Sequence, residues 1–365
     1  MRLYLCGQSA LSMIRYLRKI NDDRLFEPPA RVRSMSKPVY GSRLFKGISH
    51  RAELIIGHAG DVVHALVAKK AQVVSRGGLE THLWSWPVPA GSFLKLEDDL
   101  YVSSPAFTFL QMARELDEVE LAKLGMELCG FYSLPEKHTP FVSKGTDETL
   151  YELRAVTMAR RIKALCDSAD NGVIGVRKAR MVANWLVDGS ASPRETATYL
   201  LLCLPKRKGG YGLPKPLLNP TVTVSTTQGE ETRLPDLFWK DRSIDIEYQS
   251  DLSHGGDWNH YRDSKRQVML TVNKITVLML TNTQLSNADG FHELAIGLHR
   301  LLGVRVQRLG AAWETRRDAL RDTLLKGWPC PPACNLPPSA QDGEFSAKNW
   351  CHSFIGGRPG CRSRW

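Results

Sequence analysis

The segment from Leu234 to Gln249 constrains this chain most, because it encodes a hairpin whose acids face one another. Aromatic and β-branched residues alternate with polar ones on both sides of Lys240, Asp241, Arg242 and Ser243, which predicts two short strands joined by a turn. With the turn centred between Asp241 and Arg242, antiparallel pairing sets Asp236 directly opposite Glu247. Period-two geometry then puts Asp245, Glu247 and Gln249 on one face and Ile244, Ile246 and Tyr248 on the other, the second face being the one expected in the core.

Like charges opposite each other in a ladder repel. At about 5 Å and an effective dielectric near 20 the raw repulsion is roughly 3 kcal/mol. A chain that accepts this points its acids into water, raises a pKa, or binds a cation between them. A solvated acidic face and a metal site both fit the spacing.

At 365 residues the chain is too long for one compact core, and two domains plus a tail are expected. The boundaries read from the sequence are a mixed α/β region over 1–146, a helical connector with a second α/β domain over 147–305, and a tail over 306–365. A hydrophobic content of 42% with 24% charged residues is ordinary for a soluble globular protein. The net charge of +11 and pI near 9.3 favour an anionic partner, nucleic acid being the commonest, although solubility alone also accounts for a basic pI. The first residues lack a signal-peptide pattern and no stretch approaches the roughly 18 apolar residues of a membrane span, so a cytoplasmic protein without a membrane partner is expected. Cys6, Cys129, Cys166 and Cys203 sit among apolar neighbours, as small buried hydrophobes do. Cys330, Cys334, Cys351 and Cys361 crowd the tail with His352 nearby, but without a Cys-x-x-Cys pair their spacing does not favour zinc.

Helical spacing predicts a helix over Ala10–Ile20, and Ser92–Val102 alternates like a strand pair broken at Glu97. Ser104 and Pro105 open a second helix that buries Phe107, Leu110 and Ala113, and a third is expected over Glu118–Leu128. Ser133 to Thr146 reads as a linker. Helices over Glu148–Ser168 and Val173–Val187 carry the basic clusters Arg160, Arg161, Lys163 and Arg177, Lys178, Arg180, which read as wet faces or as phosphate contacts. After Ser192 and Pro193 the expected order is a buried helix (Arg194–Leu204), a strand at Pro220–Ser225, the two hairpin strands, a helix (Trp258–Asn273), an apolar strand (Ile275–Leu280) and a helix (Gly290–Leu302). A weak helix at Trp313–Lys326 and a Pro-, Gly- and Cys-rich segment without expected structure follow.

This order and these residues resemble the restriction-endonuclease-like, or PD-(D/E)xK, superfamily, in particular its very-short-patch-repair and DUF559-type branch. Pro235-Asp236 is the literal Pro-Asp, and Glu247, Tyr248 and Gln249 stand at the distance of the acid-x-Lys element. Glu195 matches the acid of the preceding helix, His254 the histidine that follows, and Asp263 with Arg266 the Asp-x-x-Arg of the next helix. The resemblance covers roughly 192–302 and implies an αβββαβ core, a Mg²⁺ (or Mn²⁺) ion on Asp236 and Glu247, and DNA as substrate. Gln249 stands where the superfamily has lysine, and an amide can lend a carbonyl to a metal but cannot accept a proton from water. Farther upstream, Val102 to Ala113 is similar to a segment of abortive-infection antitoxin-regulators, which implies a toxin or regulatory partner for the N-terminal region.

Two functional readings follow. In the first the chain is a metal-dependent DNA endonuclease with Glu195, Asp236, Glu247, Gln249 and His254 at its site. His254 serves there as acid or base, and Arg262, Lys265 and Arg266 grip phosphates. In the second it is a non-catalytic DNA-binding regulator or antitoxin on a degenerate nuclease core. Each residue also has a plainer role. Glu195 is a first-turn glutamate favoured by the helix dipole, His254 a solvated loop histidine, and the cations a salt-bridged helix face.

Overall fold

A computed structural model describes residues 2–32, 35, 62–76, 78–135, 149–226, 229–249, 272–306 and 310–325. The chain opens on β1 (Leu3–Leu5), whose residues are all buried, and enters α1 (Gly7–Lys19). There follow β2 (Val63–Val67), β3 (Ser75–Arg76), β4 (Leu79–Leu83), β5 (Phe93–Lys95) and β6 (Leu100–Ser103). Together they build a six-stranded sheet in the order β3-β4-β2-β1-β6-β5. It is mixed: β1 runs parallel to β6 and antiparallel to β2, while β2 runs parallel to β4. An all-apolar central strand suits burial on both faces.

Val102 to Ala113 forms the end of β6 and the helix α2 (Pro105–Met112). Ser104 caps that helix by accepting the Phe107 amide, as expected for Ser-Pro. Its other polar groups bind within the fold. Ser103 donates to the Leu5 carbonyl at 2.9 Å, and Gln111 donates to Ser103 Oγ while accepting the Gly7 amide at 2.9 Å. The motif therefore locks β6 and α2 onto β1 and the start of α1.

Helix α3 (Glu118–Cys129) follows as expected, capped by Asp117. The helix expected over Glu148–Ser168 is shorter: α4 covers Ala159–Ser168. Upstream, Leu150 pairs with Ser133 in an isolated bridge, Glu152 adopts a positive φ of 57°, and the Val156 and Thr157 amides donate to the Leu128 carbonyl. These long-range bonds outcompete the local helix. Helix α5 is shorter than expected at both ends, Val176–Ala183; its start follows Gly175, which takes φ +86° and where a Cβ would meet the Ala113 carbonyl carbon at 2.8 Å. Of the basic residues named on these helices, Lys163, Lys178 and Arg180 have structural partners. Arg180 donates to the Cys166 and Ala169 carbonyls, Lys178 to the Leu116 carbonyl, and Lys163 pairs with Asp167.

Helix α6 (Pro193–Cys203) is buried nearly all round, as its apolar run predicts. A four-stranded sheet then forms in the order β12-β11-β10-β7, from β7 (Leu217–Leu218), β10 (Leu237–Trp239), β11 (Ile244–Gln249) and β12 (Thr276–Thr281). Strand β10 is antiparallel to both β7 and β11, and β12 runs parallel to β11. The strand expected at Pro220–Ser225 exists as β8 (Val222–Thr226), but it pairs with β9 (Gly229–Arg233) in a separate ribbon. The short β7 takes the sheet position expected for it. The expected helix over Trp258–Asn273 lies almost entirely outside the described residues.

Helices α7 (Asn282–Ser286) and α8 (Ala288–Leu301) follow β12. The closing helix α9 (Ala311–Leu325) buries Trp313, Leu320 and Leu324 and packs on α6 and α3, with Trp313 Nε1 donating to the Gly210 carbonyl at 3.1 Å. All described residues belong to one unit, Met1–Pro329, of mixed α/β architecture. Among them no helix is long and apolar enough to cross a membrane. Cys6, Cys129, Cys166 and Cys203 are free thiols, the first three buried.

Candidate functional site

The hairpin forms in the register its sequence dictates. Leu237 pairs with Ile246, Phe238 with Asp245 and Trp239 with Ile244, across a turn at Lys240–Arg242 closed by Ser243 at φ 51°. One step farther, the same register sets Asp236 opposite Glu247. Ile244 and Ile246 lie in the core and Tyr248 packs against it, so the apolar face is the inner one.

The acid face is not bathed in solvent. Asp245 is 1% exposed and Glu247 7%, and residues of the β8–β9 ribbon lie against them. They line a void of about 20 Å³ together with Val222, Val224, Arg233 and Pro235. That is room for one water or one ion. The Asp236 carboxylate accepts the Tyr248 backbone amide at 2.7 Å, which fixes it against β11, and Asp236 is not among the residues that line the void.

Glu195 sits in the first turn of α6, bound to the residues that cap it. Ser192 Oγ accepts the Glu195 amide at 3.2 Å and donates back to Glu195 Oε1 at 3.0 Å, while Oε2 accepts the Ala191 amide at 2.8 Å. Oε2 also accepts Asn219 Nδ2 at 2.6 Å, and the Asn219 amide in turn donates to the Asp236 carbonyl at 3.1 Å. Burial pushes the Glu195 carboxyl above its ordinary pKa, opposed by the hydrogen bonds from Ala191, Asn219 and Ser192. Both its oxygens thus serve the fold, and it reaches Asp236 through Asn219.

Gln249 ends β11, paired with Thr281. His254, Arg262, Lys265 and Arg266 lie outside the described residues. No protein-family model matches the chain, and no curated protein or solved structure matches it significantly.

A second polar cluster went unread in the sequence. His64 on β2 pairs in register with Glu80 on β4, and His82 stands two residues farther along β4, hence on the same face. Their ligand atoms lie within 4.8 Å of one another. Burial first, and then the neighbouring His64, pull the His82 pKa below the ordinary imidazole value, which favours a neutral ring. The one local signal was Glu80-x-His82, an alternating polar pair on a strand; His64 arrives only through the parallel pairing of β2 with β4.

Proposed function

We propose that the chain is a metal-dependent DNA endonuclease of the restriction-endonuclease-like kind, working at the acid face of the β10–β11 hairpin. The observation that supports this reading is the burial of Asp245 and Glu247 around a void of one-ion size, lined also by Arg233, with Asp236 one register step beyond the last paired residues and outside that lining. The succession of α6, then the sheet strands β7, β10, β11 and β12 supports it in part, because the resemblance implies an αβββαβ core whose second helix falls outside the described residues.

Phosphodiester hydrolysis needs an activated water, charge stabilisation on the phosphoryl oxygens and help for the leaving group. The donors suit a hard divalent ion, since Asp236 and Glu247 offer carboxylate oxygens of the kind Mg²⁺ takes. Bound there, Mg²⁺ (or Mn²⁺) supplies Lewis acidity. Glu195 is a positioning residue, holding Asp236 through Asn219. By its place in the sequence, His254 is the proton carrier, with Arg262, Lys265 and Arg266 as phosphate contacts. The net charge of +11 fits a polyanionic substrate.

Purified protein with supercoiled plasmid and Mg²⁺ or Mn²⁺ tests this. Nicking that disappears in Asp236→Ala and Glu247→Gln supports it; undiminished nicking in both variants overturns the site. Salt-dependent DNA binding without cleavage under any divalent ion points instead to the regulator or antitoxin reading, which Gln249 at the lysine position favours.

A further inference from the structure

We propose that His64, Glu80 and His82 form a binding site for a divalent ion of the zinc class, distinct from the acid face of the hairpin. The parallel register of β2 and β4 places His64 opposite Glu80, with His82 next on the same face. His64 Nδ1 lies 2.9 Å from His82 Nε2 and 3.9 Å from Glu80 Oε2. Donors around a tetrahedral Zn²⁺, each about 2.0–2.1 Å from the ion, stand roughly 3.3 Å apart, a value between these two spacings. Small rotamer adjustments bring the three donors onto one centre.

The scaffold is ordered in advance. The His64 amide donates to Ser9 Oγ at 2.8 Å and its carbonyl accepts the Cys6 amide at 3.0 Å, so the first turn of α1 fixes that strand position. Ligands on paired strands lose little freedom when an ion binds. Without metal, the two stacked rings share one hydrogen bond; to bind an ion the donor ring carries its proton on its other nitrogen, so that both facing nitrogens present lone pairs. Two imidazoles and one carboxylate select zinc-class ions over Mg²⁺, which prefers oxygen donors throughout.

Three protein ligands leave a coordination position open. His64 and His82 line a cavity of about 110 Å³ with Trp84, Gln111, Arg114 and Glu115, large enough for a bound water and a small ligand. Trp84 in that wall is 7% exposed, and its Nε1 has no hydrogen-bond acceptor among the described residues.

The test uses full-length protein stripped with a chelator, titrated with Zn²⁺ against a chromophoric competitor and separately with Co²⁺. The proposal expects one equivalent of Zn²⁺ that excess Mg²⁺ does not displace. It also expects Co²⁺ ligand-field bands without thiolate charge transfer. Affinity should fall by roughly 100-fold in the His64→Ala/His82→Ala double variant and about 10-fold in Glu80→Gln. A variant with Cys330, Cys334, Cys351 and Cys361 all replaced by serine must keep the site. Absence of binding by the wild type, full affinity in the double histidine variant, or loss in the serine variant overturns the proposal. If the double variant does not fold, Glu80→Gln decides: unchanged affinity counts against the site.

Discussion

Asp236 holds Tyr248 across the hairpin: its carboxylate accepts the Tyr248 backbone amide at 2.7 Å, with Asp236 one position and Tyr248 two positions past the last paired residues, Leu237 and Ile246. The bond extends the ladder with a side chain where the backbone of β10 has ended. It therefore gives Asp236 a structural task beside any catalytic one, and the two are separable. Asp236→Ala should cost about 1–2 kcal/mol in urea unfolding, the loss of a charge-assisted bond. Asp236→Asn keeps an acceptor for Tyr248 and should recover most of that stability. Nicking should be lost in both, because a neutral amide is a poor ligand for Mg²⁺.

Gln249 ends the same strand two residues after Glu247, at the position where the resemblance implies lysine. Gln249→Lys should raise Mg²⁺-dependent nicking by about ten-fold or more, since a positioned cation stabilises developing phosphoryl charge. The rate of conversion from supercoiled to open-circular plasmid measures it. A rate equal to or below that of the wild type removes the assigned role of position 249.

The buried Glu195 carboxyl has a folded pKa raised by desolvation. Its contribution to stability is therefore fully present below the unfolded carboxyl value, near 4.5, and declines as pH rises through the folded value. Glu195→Gln removes this dependence while keeping an acceptor for the Ala191 amide and Asn219. The stability of the wild type relative to Glu195→Gln should fall as pH increases from 4.5, followed by chemical denaturation across that range. A difference that stays flat or grows with pH contradicts the burial-dominated shift.

Arg18 is 3% exposed, and its guanidinium donates to the carbonyls of Glu127, Gly130, Tyr132 and Arg154, at 2.5 to 3.2 Å. Burial pushes its pKa down to about 10, against the favourable pull of Glu127. The side chain gathers the carbonyls at the C-terminal end of α3 and the loop beyond it. Arg18→Met should destabilise the protein by about 3 kcal/mol or more, because it strands buried acceptors. Chemical denaturation checks this, and a loss under about 1 kcal/mol would mean that water replaces the guanidinium.

Local patterns foretold much of the C-terminal sheet. The hairpin register follows from alternation plus a four-residue turn, both contained in Leu234–Gln249, and Ser104-Pro105 and Ser192-Pro193 open α2 and α6 as capping chemistry requires. The long helix expected from Glu148 failed where Ser133 and Leu128, distant in sequence, captured the backbone of Leu150 and Thr157. Glu195 looked like an ordinary first-turn glutamate, and its link to Asp236 depends on Asn219 arriving from 24 residues away.

The sequence by itself determined the mixed α/β character, the hairpin with its facing acids and most helix starts, because each depends on residues within one or two turns of chain. The tertiary structure alone decided that the acids lie buried against the β8–β9 ribbon and that Val222–Thr226 leaves the main sheet. It alone brought His64 to Glu80 and His82. Parallel pairing through a crossover leaves no local periodic trace, since its register depends on contacts outside the local sequence, with β1 and α1 packed on β2 and β4 paired along its other edge.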